Sequence, residues 1–218
     1  MPILKRYDHS PFPMDVAVWS IAEEENWFLE RLQLSETEAG HFVRLRGRHR
    51  LEWLASRWLV HELSGRAERA PIVKDEFGKP FLPGSSQQVS ISHSHGLAAV
   101  AVGQCDFGLD IQQIVGKIKN LAPRFLSTAE AAQAAQAGAA HYLRALHIYW
   151  CIKEALYKAY GRRALDLRAD LSVEPFDTTQ TEGRAIGWIK KGAMVQAYQA
   201  YFEQVGTGHL LACVWRDT

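Results

Sequence analysis

One stretch, HYLRALHIYWCIKEALYKAYG at residues 141–161, constrains the fold of this chain more than any other. It reads as a single long helix, with Gly161 where a C-terminal cap belongs. Trp150, Ile152, Leu156 and Tyr157 crowd it with apolar surface, so little of it can face water. The tail that follows, AIGWIKKGAMVQAYQAYFEQVGTGHLLACVW, alternates apolar and polar residues. It predicts three antiparallel strands with turns at Lys191–Gly192 and Gly206–Gly208. A buried helix beside consecutive antiparallel strands is the signature of an α+β fold.

The rest of the chain extends this pattern. DVAVWSIA (15–22) predicts a strand, and the forty residues after it read as helical through Gly65. Leu51, Leu54 and Trp58 recur there at helical spacing. PIVKDEFGKPFLPGSS (71–86) is rich in turn formers, with short extended pieces flanking Gly78. VSISHS (89–94) and LAAVAVG (97–103) predict a hairpin turning at Gly96, with CDFGLDIQ continuing as a further strand. STAEAAQAAQAG (127–138) opens with Ser127 or Thr128 as cap and Glu130 close behind, which predicts a helix. A loop near Gly103–Gly108 divides the chain into two halves of similar size, without a visible internal repeat.

Composition narrows the function classes. A chain of 218 residues with 47% hydrophobic content can bury a sizeable core. Its net charge of +1 argues for neither nucleic acid nor membrane as a bulk partner. Cys105, Cys151 and Cys213 are widely spaced and odd in number, which disfavours a disulfide framework and a thiolate zinc site and suits a reducing compartment. The N-terminal residues show no signal peptide, and no apolar run reaches the roughly 18 residues of a membrane span. The expectation is a cytoplasmic protein.

Three groups of residues have chemical potential. Asp110 and Gln112 in GLDIQ are two apart on a strand and face the same side. A carboxylate and an amide oxygen are hard donors suited to magnesium, although two solvated polar residues on an edge strand have the same spacing. Glu154 and Lys158 are four apart on one face of the long helix. They read either as an exposed ion pair or, in their apolar company, as a metal ligand and a phosphate or proton partner at a cleft. Arg44, Arg46, Arg48, Arg50 and Arg57 concentrate charge that the chain as a whole lacks. They read either as a solvated helix or as phosphate contacts, since guanidinium binds phosphate with two parallel bonds. Lys79 in FGKP and Ser92, His93 and Ser94 in SISHS add smaller candidates. GxSxG, Walker, GxGxxG and HExxH motifs are absent, which removes several common enzyme classes.

Taken in order, FGKPFL, SISHS, GLDIQ and WCIKEALYKAYG, with the arginine-bearing RHRLEWLASRWLV upstream, resemble the 4′-phosphopantetheinyl transferase family in its surfactin-type monomeric class. The resemblance spans residues 44–161. It implies two similar α+β halves with mostly antiparallel sheets in a pseudo-twofold arrangement, 1–105 and 106–218, with coenzyme A in the cleft between them. It implies transfer of the phosphopantetheine arm of coenzyme A to a serine of an apo acyl or peptidyl carrier protein, with magnesium as cofactor and 3′,5′-ADP as product. Such carriers serve fatty-acid, polyketide or nonribosomal-peptide synthesis. Carried over by motif, Asp110 and Glu154 match the metal-binding acids, with Gln112 at the position of a third. Lys158 matches the lysine beside the pyrophosphate, and Lys153 the lysine preceding the helix acid. Arg50, Lys79, Ser92 and His93 match the coenzyme A contacts, with Arg44 and Arg46 as further candidates toward the 3′-phosphate. Glu154, Lys158, Asp110 and His93 are the expected catalytic set. No nucleic acid or membrane partner is implied.

Gln112 is a departure, because the family pattern has an acid there. It brings a dipole where the pattern brings a charge, which predicts weaker magnesium binding or a changed metal preference, with activity retained. The alternative is a weak or inactive module that binds coenzyme A or a carrier. A nucleic-acid module built on the arginines would explain none of the downstream motifs.

Overall fold

The computed structural model describes residues 3–216. The chain divides into two compact units, Met1–Cys105 and Asp106–Thr218. The fold class is α+β, with one antiparallel sheet in each unit and six helices among the described residues.

In the first unit, β1 (Ile3–Tyr7), β2 (Met14–Ser20), β3 (Val73–Lys74), β4 (Pro80–Phe81), β5 (Gln88–Ser94) and β6 (Leu97–Gly103) form a six-stranded sheet in the order β1-β2-β6-β5-β4-β3. The expected helical run is broken into α1 (Glu25–Leu32), α2 (Glu36–Phe42) and α3 (Arg48–Ser64). The breaks are local chemistry. Gln33 closes α1 in the left-handed region, at φ 45. Ser35 opens α2 with a reciprocal capping box to Glu38, a device that stabilises a helix start by about 1 kcal/mol. Gly47, at φ 55 and ψ −140, turns the chain into α3, and Gly65 ends α3 as the sequence predicts. Helix α3 packs on β6, β2 and β5 through Leu54, Leu59, Val89 and Val100, with Trp19 and Phe28 in the same core. The β5–β6 hairpin turns on His95 and Gly96, both at positive φ, the geometry of a tight two-residue turn.

The second unit holds β7 (Asp106–Gln113), β8 (Leu171–Val173), β9 (Glu182–Lys191), β10 (Met194–Val205) and β11 (His209–Arg216), in the order β7-β11-β10-β9-β8. Strand β7 does not extend the first sheet. It pairs antiparallel with β11, Asp110 opposite Ala212 and Gln112 opposite Leu210. Helix α6 (Gly138–Tyr160) covers the sheet, and α4 (Ile118–Phe125) and α5 (Thr128–Gln136) pack against α6. Ser127 caps α5 in a box with Glu130, and Gly161 caps α6 at φ 66. The sequence reading passes over β1, α4 and β8. Strand β8 is three residues long, and α4 carries Pro123 in its interior, normally a helix breaker. Cys105, Cys151 and Cys213 form no disulfide among the described residues. No described helix is long and apolar enough to cross a membrane.

Candidate active site

Helix α6 is buried on most sides; Trp150, Glu154, Tyr157 and Lys158 form its partly open stripe at helical spacing. Strand β7 crosses α6 closely at Gly108. A Cβ there would lie 1.9 Å from the Ala155 carbonyl oxygen and 2.7 Å from the Ala159 nitrogen, so only glycine permits the approach. That crossing brings the strand acid to the helix charges. Lys158 Nζ donates to Asp110 Oδ1 at 2.8 Å and to the Leu109 carbonyl at 3.0 Å. Asp110 is 2% exposed. Burial, then the negative charge of Asp110, push the Glu154 carboxyl up to about 7, with Lys158 acting in the opposite sense. Glu154 therefore sits in the electrostatic reach of both: helical spacing puts it on the face of Lys158, and the crossing at Gly108 brings Asp110 to it.

Gln112 joins the group differently from a ligand. Its Nε2 donates to Asp110 Oδ2 at 3.0 Å, so the amide N–H supports the acid while the amide oxygen points elsewhere. Asp110 thus carries an ammonium on one oxygen and an amide on the other.

Lys153 has no surface for a ligand, and its expected contact with coenzyme A does not fit its position. It is fully buried, and Nζ lies within 3.0 Å of four oxygens: the carbonyls of Phe125 (2.6 Å), Leu171 (2.9 Å) and Leu167 (3.0 Å), and Glu130 Oε2 (2.7 Å). An ammonium has three hydrogens, and all are taken. Glu130 in turn receives the backbone N–H of Ser127 and of Val173. The lysine ties α4, α5, α6 and β8 together, a role that the motif spacing does not reveal.

The first unit contains a cleft of about 560 Å³ at the start of α3 and the end of β5, lined by Arg46, Arg48, His49, Glu52, His93 and His95 with adjoining Gly47 and Ser94. Arg46 donates to the carbonyls of Val43 (2.7 Å) and Leu45 (3.0 Å), and Arg44 is exposed nearby. His93 is partly exposed and its Nδ1 lies 3.1 Å from Glu52 Oε2. Ser92 is buried, turned by strand alternation to the other face of β5. Lys79 stands at the end of a turn whose Asp75 carboxylate accepts the N–H of Phe77 and Lys79, and its Nζ reaches Gln88 Oε1 at 3.2 Å. Arg50 does not line this cleft. Its Nε and NH2 each lie 2.7 Å from a Glu25 oxygen, and its guanidinium stacks 3.9 Å above the Phe42 ring. Arg57 is similarly committed, over Trp53 and against Glu38.

The structure brings Asp110, Gln112 and Lys158 together with Glu154 in electrostatic reach, and it lines a separate cleft in the first unit with Arg46 and His93. Sequence reasoning misses Glu52 and His49. Their i, i+3 spacing on α3 was the available signal, obscured by the arginines around them.

Two family models match the chain. The 4′-phosphopantetheinyl transferase superfamily matches residues 106–214. The 4′-phosphopantetheinyl transferase N-terminal domain matches residues 44–103. Comparison with curated proteins gives no match.

Proposed function

This chain belongs to the 4′-phosphopantetheinyl transferase superfamily, and we propose that it moves the phosphopantetheine arm of coenzyme A onto a serine hydroxyl of an apo acyl or peptidyl carrier protein. The single observation that carries the reading is the Asp110–Lys158–Glu154 group, a buried acid, an ammonium and a second carboxyl raised to about 7, on the crossing of β7 and α6.

In the proposed reaction the carrier serine Oγ bonds to the β-phosphorus of coenzyme A. The bond from that phosphorus to the oxygen shared with the α-phosphate breaks, and 3′,5′-ADP leaves with the electron pair. Glu154 takes the serine proton. A carboxyl near 7 suits that task, since about half of it is ionised near neutral pH and it is basic enough to accept the proton. Lys158, already fixed on Asp110, holds positive charge where the pyrophosphate gains negative charge. The nucleophile comes from the partner, which accounts for the lack of a nucleophile motif in this chain.

Magnesium fits the donor set. Asp110 and Glu154 offer hard oxygens close enough for one charge to raise the other, the electrostatics of two acids that a divalent cation would relieve. They would hold the ion, and the ion would neutralise the pyrophosphate. Gln112 would support Asp110 from the side and lend less charge than a third acid.

On the first unit, we assign Arg46 and His93 as phosphate contacts. The cleft they line opens at the start of α3, whose Gly47 N-cap offers no side-chain acceptor to the helix N–H groups, an arrangement that favours an anion. Lys79 remains a candidate contact. Arg50 would have to leave Glu25 to reach a phosphate, and Lys153 is reassigned to the scaffold. Arg44, Arg46 and Arg48 are exposed and supply a basic rim for an acidic carrier. Gln112 in an acid's place favours the second reading, a module that binds coenzyme A without turnover. Intact mass of a carrier after incubation with coenzyme A separates the two: a magnesium-dependent gain of one phosphopantetheine establishes transfer, and its absence with coenzyme A still bound establishes the module.

A further inference from the structure

At the floor of the first unit's cleft three ligand-bearing side chains converge from two elements. His49 and Glu52 are three apart on α3 and share a face, and His93 comes from β5. One Glu52 oxygen lies 3.1 Å from Nδ1 of His49 and 3.1 Å from Nδ1 of His93. Each residue brings one ligand atom within 4.8 Å of the other two. The second Glu52 oxygen accepts the backbone N–H of Gly96 at 3.4 Å, which ties the carboxylate to the hairpin turn. The imidazole rings stand 6.0 Å apart between centroids at 61°, so they converge without stacking.

We propose that His49, Glu52 and His93 form a zinc site whose open fourth position takes a phosphate oxygen. Such a site is independent of the Asp110–Glu154 group and of the transfer reaction. Two histidines and a glutamate are a ligand set that zinc uses when one position stays open. At metal–ligand distances of about 2.1 Å a tetrahedron has edges of about 3.4 Å, close to the two separations of 3.1 Å. Glu52 is 2% exposed, and its ion-pair partners among the described residues are imidazoles rather than lysine or arginine. A buried carboxylate calls for a cation, paired or coordinated. An imidazole supplies a full charge only when protonated, whereas a bound ion supplies it with both rings neutral. On binding, each ring nitrogen gives its lone pair to the metal, and any proton on it passes to solvent. The Gly96 N–H then orients the carboxylate from outside the ligand set.

All three ligands line the cleft, so the remaining coordination position opens to it. Arg46 and Arg48 line the same cleft. Their charges oppose a bare cation and favour one whose fourth ligand is an anion. Zinc with one carboxylate keeps a net positive charge, and two guanidiniums beside it suit a phosphate group. Nitrogen ligands select zinc over magnesium, so this cluster and the Asp110–Glu154 pair take different ions.

The test uses the untagged full chain in excess magnesium, with cobalt(II) as the zinc probe. Wild type should take up one cobalt and show the intense visible band of four-coordinate cobalt, which zinc then bleaches. His49→Ala and Glu52→Gln should each weaken cobalt binding about a hundredfold or more, since even contacts outside a ligand set are worth about tenfold. Asp110→Ala should leave the band as it is. Should Glu52→Gln fold poorly, His49→Ala decides, because His49 is exposed and supports no core. Inorganic phosphate and coenzyme A are then added separately to the cobalt protein. A band shift with either one supports the open position and shows which phosphate reaches it. An unmoved band with both overturns the fourth-ligand assignment. No band in wild type overturns the site, and so does a band that survives His49→Ala or one that Asp110→Ala abolishes. Cobalt binding of the expected kind in a protein without transfer activity upholds the site and counts only against the transfer reading.

Discussion

Replacing Lys153 by methionine separates a scaffold role from a ligand role. The side chain keeps its length and loses four contacts at 2.6 to 3.0 Å. Glu130, 4% exposed, keeps its two backbone donors but loses its counter-charge, and three carbonyls lose a donor. Burial already lowers the lysine's proton affinity, and the Glu130 charge opposes that effect, so the two ions depend on each other. Removing one partner of such a buried pair costs about 3–5 kcal/mol. Against a denaturant dependence of about 2 kcal/mol per molar for a small protein, the urea midpoint should fall by roughly 2 M. Equilibrium unfolding followed by tryptophan fluorescence measures it. The KM for coenzyme A, taken well below the new transition, should stay within about twofold. Adding Glu130→Gln should recover part of the loss, because no buried charge is then left unpaired. A midpoint unchanged from wild type together with a KM raised about tenfold or more would refute the reasoning and return Lys153 to the ligand.

Gly108→Ala should cost at least about 3 kcal/mol and abolish transfer, because its Cβ meets the Ala155 carbonyl at 1.9 Å and β7 must leave α6; thermal unfolding and the transfer assay check both halves. In chelator, the Glu154 carboxyl near 7 lies above its ordinary 4.5, so the folded state holds the proton that the unfolded state releases. Stability is therefore full below about 4.5 and falls as pH rises toward 7, by about 3 kcal/mol. Glu154→Gln, lacking that titration, should become the more stable protein at pH 8, and parallel pH profiles for the two would contradict the assignment. Gln112→Glu should lower the magnesium concentration for half-maximal rate by about tenfold, since a charge replaces a dipole beside Asp110; coincident titrations would remove the idea. Charge reversal at Arg44 and Arg46 should raise the KM for an acidic carrier by about tenfold at low salt, with the difference shrinking as salt is added.

How much of this was legible follows from the range of the interactions. Short-range signals were readable: the capping box at Ser127 and Glu130, the left-handed caps at Gly65 and Gly161, and the Gly96 turn each depend on neighbours within a few residues. The pairing of Asp110 with Lys158 was legible only as a motif order, because what joins positions 48 apart is the glycine crossing at Gly108. Periodicity could not break residues 23–65 into three helices, since all three segments are apolar at helical spacing and the breaks rest on Gln33, Ser35 and Gly47. Lys153 was misread for a related reason. Its place in the motif is visible, but the direction of its ammonium depends on carbonyls of Phe125, Leu167 and Leu171 that no local pattern marks. Glu52 carried no motif weight and was hidden among arginines, yet it is the acid that holds His93.

The central claim is tested most directly by incubating the protein with coenzyme A and an apo acyl carrier protein and measuring the carrier's intact mass, with and without magnesium and with Asp110→Ala alongside. The account predicts one added phosphopantetheine per carrier, dependent on magnesium and lost in the variant. A carrier mass that stays unchanged across several carrier proteins, while coenzyme A still binds, would contradict it.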